Sequence, residues 1–245
     1  MENQAYPVTL RGELTQPPAR GWWLIKWLLA IPHFICLLVL GIVFIVVWII
    51  TFFAILITGK HPKSLFDFKL GVLRWSWRAG FYSYEALGTD KYPPFSLNSD
   101  PNYPADLDIS YTEKMSRGLV LIKWWLLAIP HYIVVSLLGA PLVLICMMLF
   151  FGAVGFIGFA VASYFYPGIW DAEMSNWQVE AGGGGGGAAL TFILAIFAGI
   201  ALLFTGKYPP SIFKLVVGFN RWIYRVAAYA SLMTDEYPPF RLWDD

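Results

Sequence analysis

Three stretches of the chain, 27–59, 124–170 and 181–206, contain no Asp, Glu, Lys or Arg. Each exceeds the roughly 20 apolar residues that cross a hydrocarbon core of about 30 Å. Two further segments, Leu65 to Leu87 and Ile212 to Met233, are apolar over most of their circumference but carry one polar stripe. The stripe is Asp67, Gly71, Arg74 and Arg78 in the first segment, and Lys214, Gly218, Arg221 and Arg225 in the second. Spacings of four, three and four keep each set on one helical face. The flanking Trp75, Trp77, Tyr82, Trp222 and Tyr224 suit the headgroup level of a bilayer. The pattern predicts two amphipathic helices in a membrane interface, with their arginines toward lipid phosphates. The glycine shared by both stripes opens a second reading. Two helices would approach closely there, and their arginines would converge on an anionic headgroup or a partner's carboxylates.

The whole pattern occurs twice. Residues 6–97 and 103–242 carry the same landmarks in the same order. Each half opens at Tyr-Pro (Tyr6-Pro7, Tyr103-Pro104) and passes through Arg-Gly and Leu-Ile-Lys-Trp (Leu24 to Trp27, Leu121 to Trp124). Then come Leu-Ala-Ile-Pro-His, ending at His33 and His131, an apolar run, and Thr-Gly-Lys (Thr58 to Lys60, Thr205 to Lys207). Each half closes on Tyr-Pro-Pro-Phe (Tyr92 to Phe95, Tyr237 to Phe240). Ordered matches of this number predict a tandem duplication, with a first unit over 1–99 and a second over 100–245.

Charge sets the expected topology. All 17 Lys and Arg residues lie outside 124–206, where a polar, glycine-rich loop at about 167–187 carries Asp171, Glu173 and Glu180. The positive-inside rule places that loop outside and both termini in the cytoplasm. The first apolar run is flanked by basic residues at both ends, Arg20 and Lys26 before, Lys60 and Lys63 after. An even number of crossings would satisfy both flanks. The extra residues of the second half enter near Gly41, and insertions favour loops. A hairpin tip at Gly41, with arms at about 22–40 and 42–58, is therefore expected. One long tilted helix is the rival. The second half is expected to break near Gly139-Ala140-Pro141, for about four membrane segments in all.

Composition agrees, at 58% hydrophobic and 13% charged, which is far more apolar than a soluble domain. A net charge of +1 without a separate basic tract argues against nucleic acid. The polar start of the chain lacks the pattern of a cleaved leader. Cys36 and Cys146 fall at different places in the two halves and read as separate buried thiols rather than a disulfide or a metal pair.

Candidate chemistry is sparse. Gly182 to Gly187 formally contains GxGxxG, but no strand precedes it and no acidic residue follows at the needed distance, so it reads as a linker. Thr-Gly-Lys is not a phosphate loop, because positions 54 and 201 are Ala and neither Lys is followed by Ser or Thr. His33 and His131 are equivalent, and two inward-facing imidazoles could ligate one haem. The simpler expectation is that each bonds a carbonyl freed by the neighbouring proline. No carboxylate lies inside an uncharged run, and no nucleophile, zinc or paired-carboxylate constellation is present.

The set Ala-Ile-Pro-His, Phe53 to Lys60, Ser64 to Phe68, Gly71 to Trp75 and Tyr-Pro-Pro-Phe resembles a bacterial membrane family known as domain of unknown function 4389. The resemblance runs through both halves and implies a multi-span protein without an assigned activity. The expectation is an all-α integral membrane protein of the bacterial inner membrane. Each unit would be an apolar hairpin followed by an interfacial amphipathic helix. Its expected role is a non-enzymatic accessory or scaffold subunit contacting lipids and other membrane proteins. Handling of an anionic lipid through Arg74, Arg78, Lys214, Arg221 and Arg225 is the alternative. No catalytic or metal residues are expected, and no cofactor unless His33 and His131 hold haem.

Overall fold

The computed structural model describes residues 6–14, 18–138 and 190–243. The expected exterior loop at 167–187, the break near Gly139 to Pro141 and Cys146 lie outside these residues. The order is β1 (Val8–Gly12), α1 (Trp23–Thr58), α2 (Lys63–Tyr82), β2 (Ala105–Ile109) and α3 (Arg117–Ile122). A π-helical turn (Lys123–Leu127) then leads into α4 (Ile129–Leu138), followed by α5 (Leu190–Thr205) and α6 (Pro210–Ala230).

The chain is mostly helical but not all-α, because β1 and β2 pair as an antiparallel two-stranded sheet. Val8-Thr9-Leu10-Arg11 alternates apolar and polar, and the burial of β1 alternates with it. Leu10 lies opposite Leu107, Val8 opposite Ile109, and Gly12 opposite Ala105. Leu10 and Leu107 each stand four residues after the Tyr of their opening Tyr-Pro. The register therefore reads the same from either strand.

The hairpin expected at Gly41 is not formed. α1 is a single 36-residue helix that runs through Gly41, and Gly41 is one of its buried residues. Trp23, Lys26, Ala30, His33, Leu37, Gly41, Thr51 and Ile55 form one buried seam, with half-buried Phe44 and Trp48 filling its gap. Steps of three and four residues trace a straight line on a helix, so the seam packs against the rest of the protein along its whole length. The other faces of α1 expose apolar side chains from Leu24 to Ile57. Among the described residues α1 alone is long and apolar enough to cross a membrane. A second candidate arises only if α3 through α4, bent by 42°, is taken as one broken span.

The helices expected in the interface are interior. α2 is buried almost all round from Lys69 to Tyr82, and α6 is buried from Val216 to Tyr229 apart from a few half-exposed positions. Trp75 and Ala79 of α2 meet Leu37 of α1. Phe66, Leu70, Leu73 and Trp77 face another way and join Val8, Leu10 and Leu107 of the sheet in the main core. Apolar helices thus cover one side of the α2 layer, and a small sheet with charged outer positions covers the other.

Thr-Gly-Lys ends α1 and α5. Gly59 (φ 71°) and Gly206 (φ 69°) adopt the left-handed conformation that closes a helix, donating to Ile55 O at 2.7 Å and Leu202 O at 2.8 Å. The threonine hydroxyls turn back onto Ala54 O and Ala201 O. The motif is a helix stop.

One insertion is absorbed inside a helix. Lys26 and His33 are seven residues apart, whereas Lys123 and His131 are eight apart, because Trp124-Trp125 replaces the single Trp27. The π-helical turn takes up that extra residue. Lys and His then land on the same face in both halves. Deleting Trp125 should convert this turn to ordinary α-helix and cost less than about 1 kcal/mol. Thermal melting of the purified deletion variant checks this. A collapse of the fold would show that the π-turn has a role beyond absorbing the extra residue.

Candidate functional site

Three groups of polar residues lie in or beside the apolar core, and the halves share their design. The first is a buried lysine. Lys26 Nζ donates to Thr89 O at 2.8 Å and pairs with Asp90 Oδ1 at 2.8 Å. Lys123 Nζ donates to Thr234 O at 3.0 Å and pairs with Asp235 Oδ1 at 2.7 Å. Both lysines are fully buried, and each lies over a tyrosine ring, Tyr82 or Tyr229. A polar cleft of about 310 Å³ opens beside the first pair, lined by Arg11, Glu13, Asp90, Lys91, Asn102 and Tyr103 among others.

The second is a boxed histidine. Trp75 Nε1 donates to His33 Nδ1 at 3.0 Å, and Trp222 Nε1 to His131 Nδ1 at 3.1 Å. Each imidazole stacks on the phenylalanine of its own Tyr-Pro-Pro-Phe, Phe95 at 4.0 Å and Phe240 at 4.2 Å. Tyr92 and Tyr237 close each box at 4.8 Å. The paired prolines force an extended exit from the preceding turn, which brings these rings onto the helix. An indole N–H can only donate, so Nδ1 carries the lone pair and Nε2 the proton. Haem ligation through Nε2 would require the proton to move and the Trp bond to break. The two histidines occupy separate boxes rather than one shared site.

The third is the arginine stripe. Arg74 donates to Leu107 O at 2.8 Å and Leu97 O at 3.4 Å, and pairs with Asp106 at 3.1 Å and Asp108 at 3.3 Å. Arg78 donates to Ser96 O. Arg221 donates to Leu242 O at 3.3 Å, and Arg225 to Arg241 O at 3.0 Å while lying over the Tyr6 ring. Each set lies on one helical face, as its spacing predicts, and its bonds are to the protein's own chain. They clamp the strap that follows each Tyr-Pro-Pro-Phe. Of the expected lipid-binding cations, Lys214 alone is exposed.

The shared glycines serve the same straps rather than a helix–helix contact. A Cβ on Gly71 would stand 2.7 Å from Leu97 Cβ and 3.0 Å from Leu97 O, and one on Gly218 3.3 Å from Leu242 Cβ. Alanine in a helix interior gains about 1 kcal/mol over glycine. At Gly71 the clash involves backbone, so overpacking of about 1–3 kcal/mol wins. Gly71→Ala should lower stability by about 1 kcal/mol and Gly218→Ala should raise it by about 0.5 kcal/mol. Paired melting curves check the opposite signs.

Sequence reading missed several of these residues. Lys26 and Lys123 were visible inside the repeated Leu-Ile-Lys-Trp, and Asp90 and Asp235 in the repeated Thr-Asp before Tyr-Pro-Pro-Phe. Distance along the chain hid the pairing. His61 and Lys69 break the symmetry. Tyr208 donates to Ala86 O at 2.7 Å in one half, whereas Lys69 Nζ donates to Ser231 O at 2.7 Å in the other. His61, at the place of Tyr208, is buried with neither ring nitrogen bonded within the described residues. Burial, helped by the charges of Lys69 and Lys123, pushes its pKa down to about 3. Burial also holds Lys69 well below the usual amine range.

No group of three or more metal-ligating side chains converges among the described residues. No curated protein and no solved structure matches the chain. A family model described as a domain of unknown function, DUF4389, matches residues 21–96 and 187–241, one segment in each half and together more than half of the chain, which therefore belongs to that family.

Proposed function

We propose that the chain is a non-enzymatic structural subunit of a larger bacterial inner-membrane assembly, with both termini cytoplasmic. We read it as a duplicated unit folded about an internal two-fold axis through Leu10 and Leu107. The symmetric strand register supports that axis, since exchanging equivalent strands leaves the pairing unchanged.

One observation carries the functional reading. The arginines, buried lysines and boxed histidines each bond the chain's own carbonyls, carboxylates or indoles, and among the described residues only single atoms such as His33 Nε2 and Arg78 Nε and Nη1 stay unbonded within these groups. Among the described residues, exposed apolar side chains are concentrated on α1 and continue through Leu121, Ile129 and Ile133 and through Phe197 and Phe204 of α5. Exposed apolar side chains along the length of a helix mark membrane or protein contact.

Native mass spectrometry after gentle extraction from the host tests this, with an absorption spectrum of the same sample. Stoichiometric foreign subunits support the scaffold role. A chain carrying only lipid overturns it in favour of lipid handling, and a Soret band would establish haem. The lipid alternative draws support from exposed Lys214 and from Tyr92, Phe95, Tyr237 and Phe240, whose rings reach the surface beside the apolar helices. The clamped arginines would shape that surface rather than touch the headgroup.

A further inference from the structure

We propose that α1 does not cross the bilayer but lies along it within the cytoplasmic leaflet, held by its seam to α2, α3 and the end of α6 and covered elsewhere by lipid. The inference rests on the membrane reading above.

Contacts with the body run from one end of α1 to the other. Lys26 is tied to Thr89 and Asp90 near the start, His33 and Leu37 meet Trp75 about a third of the way along, Trp48 donates to Ala230 O at 3.0 Å, and Ile55 packs with Leu232 near the end. The helix is about 54 Å long at 1.5 Å per residue, against a core of about 30 Å. The body behind it therefore cannot sit at one end, as a cytoplasmic domain beneath a vertical span would. It spans the helix.

That body has an exposed charged side level with the part of α1 about a third of the way along it. Trp75 touches His33 and Leu37, and its neighbour Arg74 pairs with Asp106 and Asp108 of β2, of which Asp108 is 71% exposed. If α1 stood upright and centred in the bilayer, this carboxylate, and Arg11 opposite Asp106, would lie within the hydrocarbon core. Charged side chains there are strongly disfavoured. With α1 lying flat, the same groups face the cytoplasm and its apolar faces meet acyl chains.

The flat arrangement also removes the conflict in the flanking charge. Arg20 precedes α1, and Lys60 and Lys63 follow it. Both flanks belong on the cytoplasmic side. Zero crossings put them there without a hairpin.

Leu24, Ile35, Val46 and Ile57 offer a ruler. They are eleven residues apart, all exposed, and lie nearly on one line because eleven residues make close to three turns. Single cysteines at these positions, in a full-length chain with Cys36 and Cys146 replaced by serine, would carry nitroxide labels in lipid vesicles. Electron paramagnetic resonance depth measurement should place all four within about 5 Å of one another in one leaflet. Depths running from one headgroup region through the centre to the other overturn the proposal and leave the membrane reading intact. Labels with no lipid contact overturn both. Sidedness gives a second measurement, with cysteines at exposed Glu13 and Ser64 and an impermeant maleimide. Labelling of both from the same face is expected, and labelling from opposite faces refutes the flat helix.

Discussion

Lys123→Ala should destabilise the protein by about 3 kcal/mol, lowering its melting temperature by about 6–12 °C for a chain of this size. The ammonium is fully buried and bridges Thr234 O and Asp235 Oδ1, the residues just before the second Tyr-Pro-Pro-Phe. Removing it leaves a carbonyl without its donor and a carboxylate without its counter-charge. The carboxylate is 25% exposed and still accepts from the Ser116 backbone N–H at 2.7 Å, so the loss sits at the low end of the range for broken buried pairs. The double variant Lys123→Ala with Asp235→Asn should recover part of it, since the second change neutralises the stranded charge. Melting in detergent monitored by tryptophan fluorescence measures both. A Lys123→Ala protein as stable as the wild type would mean that the ion pair holds nothing together.

Glu85 makes stability depend on pH. Its carboxylate is wedged against Gly80, where a side chain would collide with it, in the turn after α2. Burial raises its pKa from 4.5 to about 7. The folded state thus binds this proton more tightly than the unfolded chain does. The associated stability is fully present below about pH 4.5 and is lost as pH rises through about 7. A shift of this size corresponds to at most about 3 kcal/mol, and about 2 kcal/mol is expected because the residue is only half-buried by surface. Glu85→Gln should flatten the decline between pH 5 and 7 and be the more stable protein at pH 8. A wild-type profile that is level across that window would refute it. Nearby Tyr224, whose hydroxyl donates to Ser76 at 3.1 Å, stays neutral throughout, because burial keeps its pKa well above the usual phenol range.

Much of the local design was legible in the residue pattern. The doubled landmarks reappear as doubled contacts, and the polar stripes of α2 and α6 do lie on single helical faces. What those faces meet was not legible. The straps after Tyr-Pro-Pro-Phe have no periodicity, so nothing in the order of Ser96-Leu97 or Arg241-Leu242 announces that arginines will hold their carbonyls. Gly41 misled for a physical reason. An insertion site suggests a loop, but here the buried seam continues on both sides of Gly41 and keeps the helix intact. The sheet was missed because each strand is five residues long, too short for alternation to stand out.

The π-helical turn changes how the two halves must be compared. Before it, equivalent residues differ by one constant in number, as Lys26 and Lys123 do. After it the constant grows by one, as His33 and His131 show. A ruler laid along the residue numbers would match His33 to Pro130 and find a lost site where none has been lost. The helix keeps its phase by rotation and not by count.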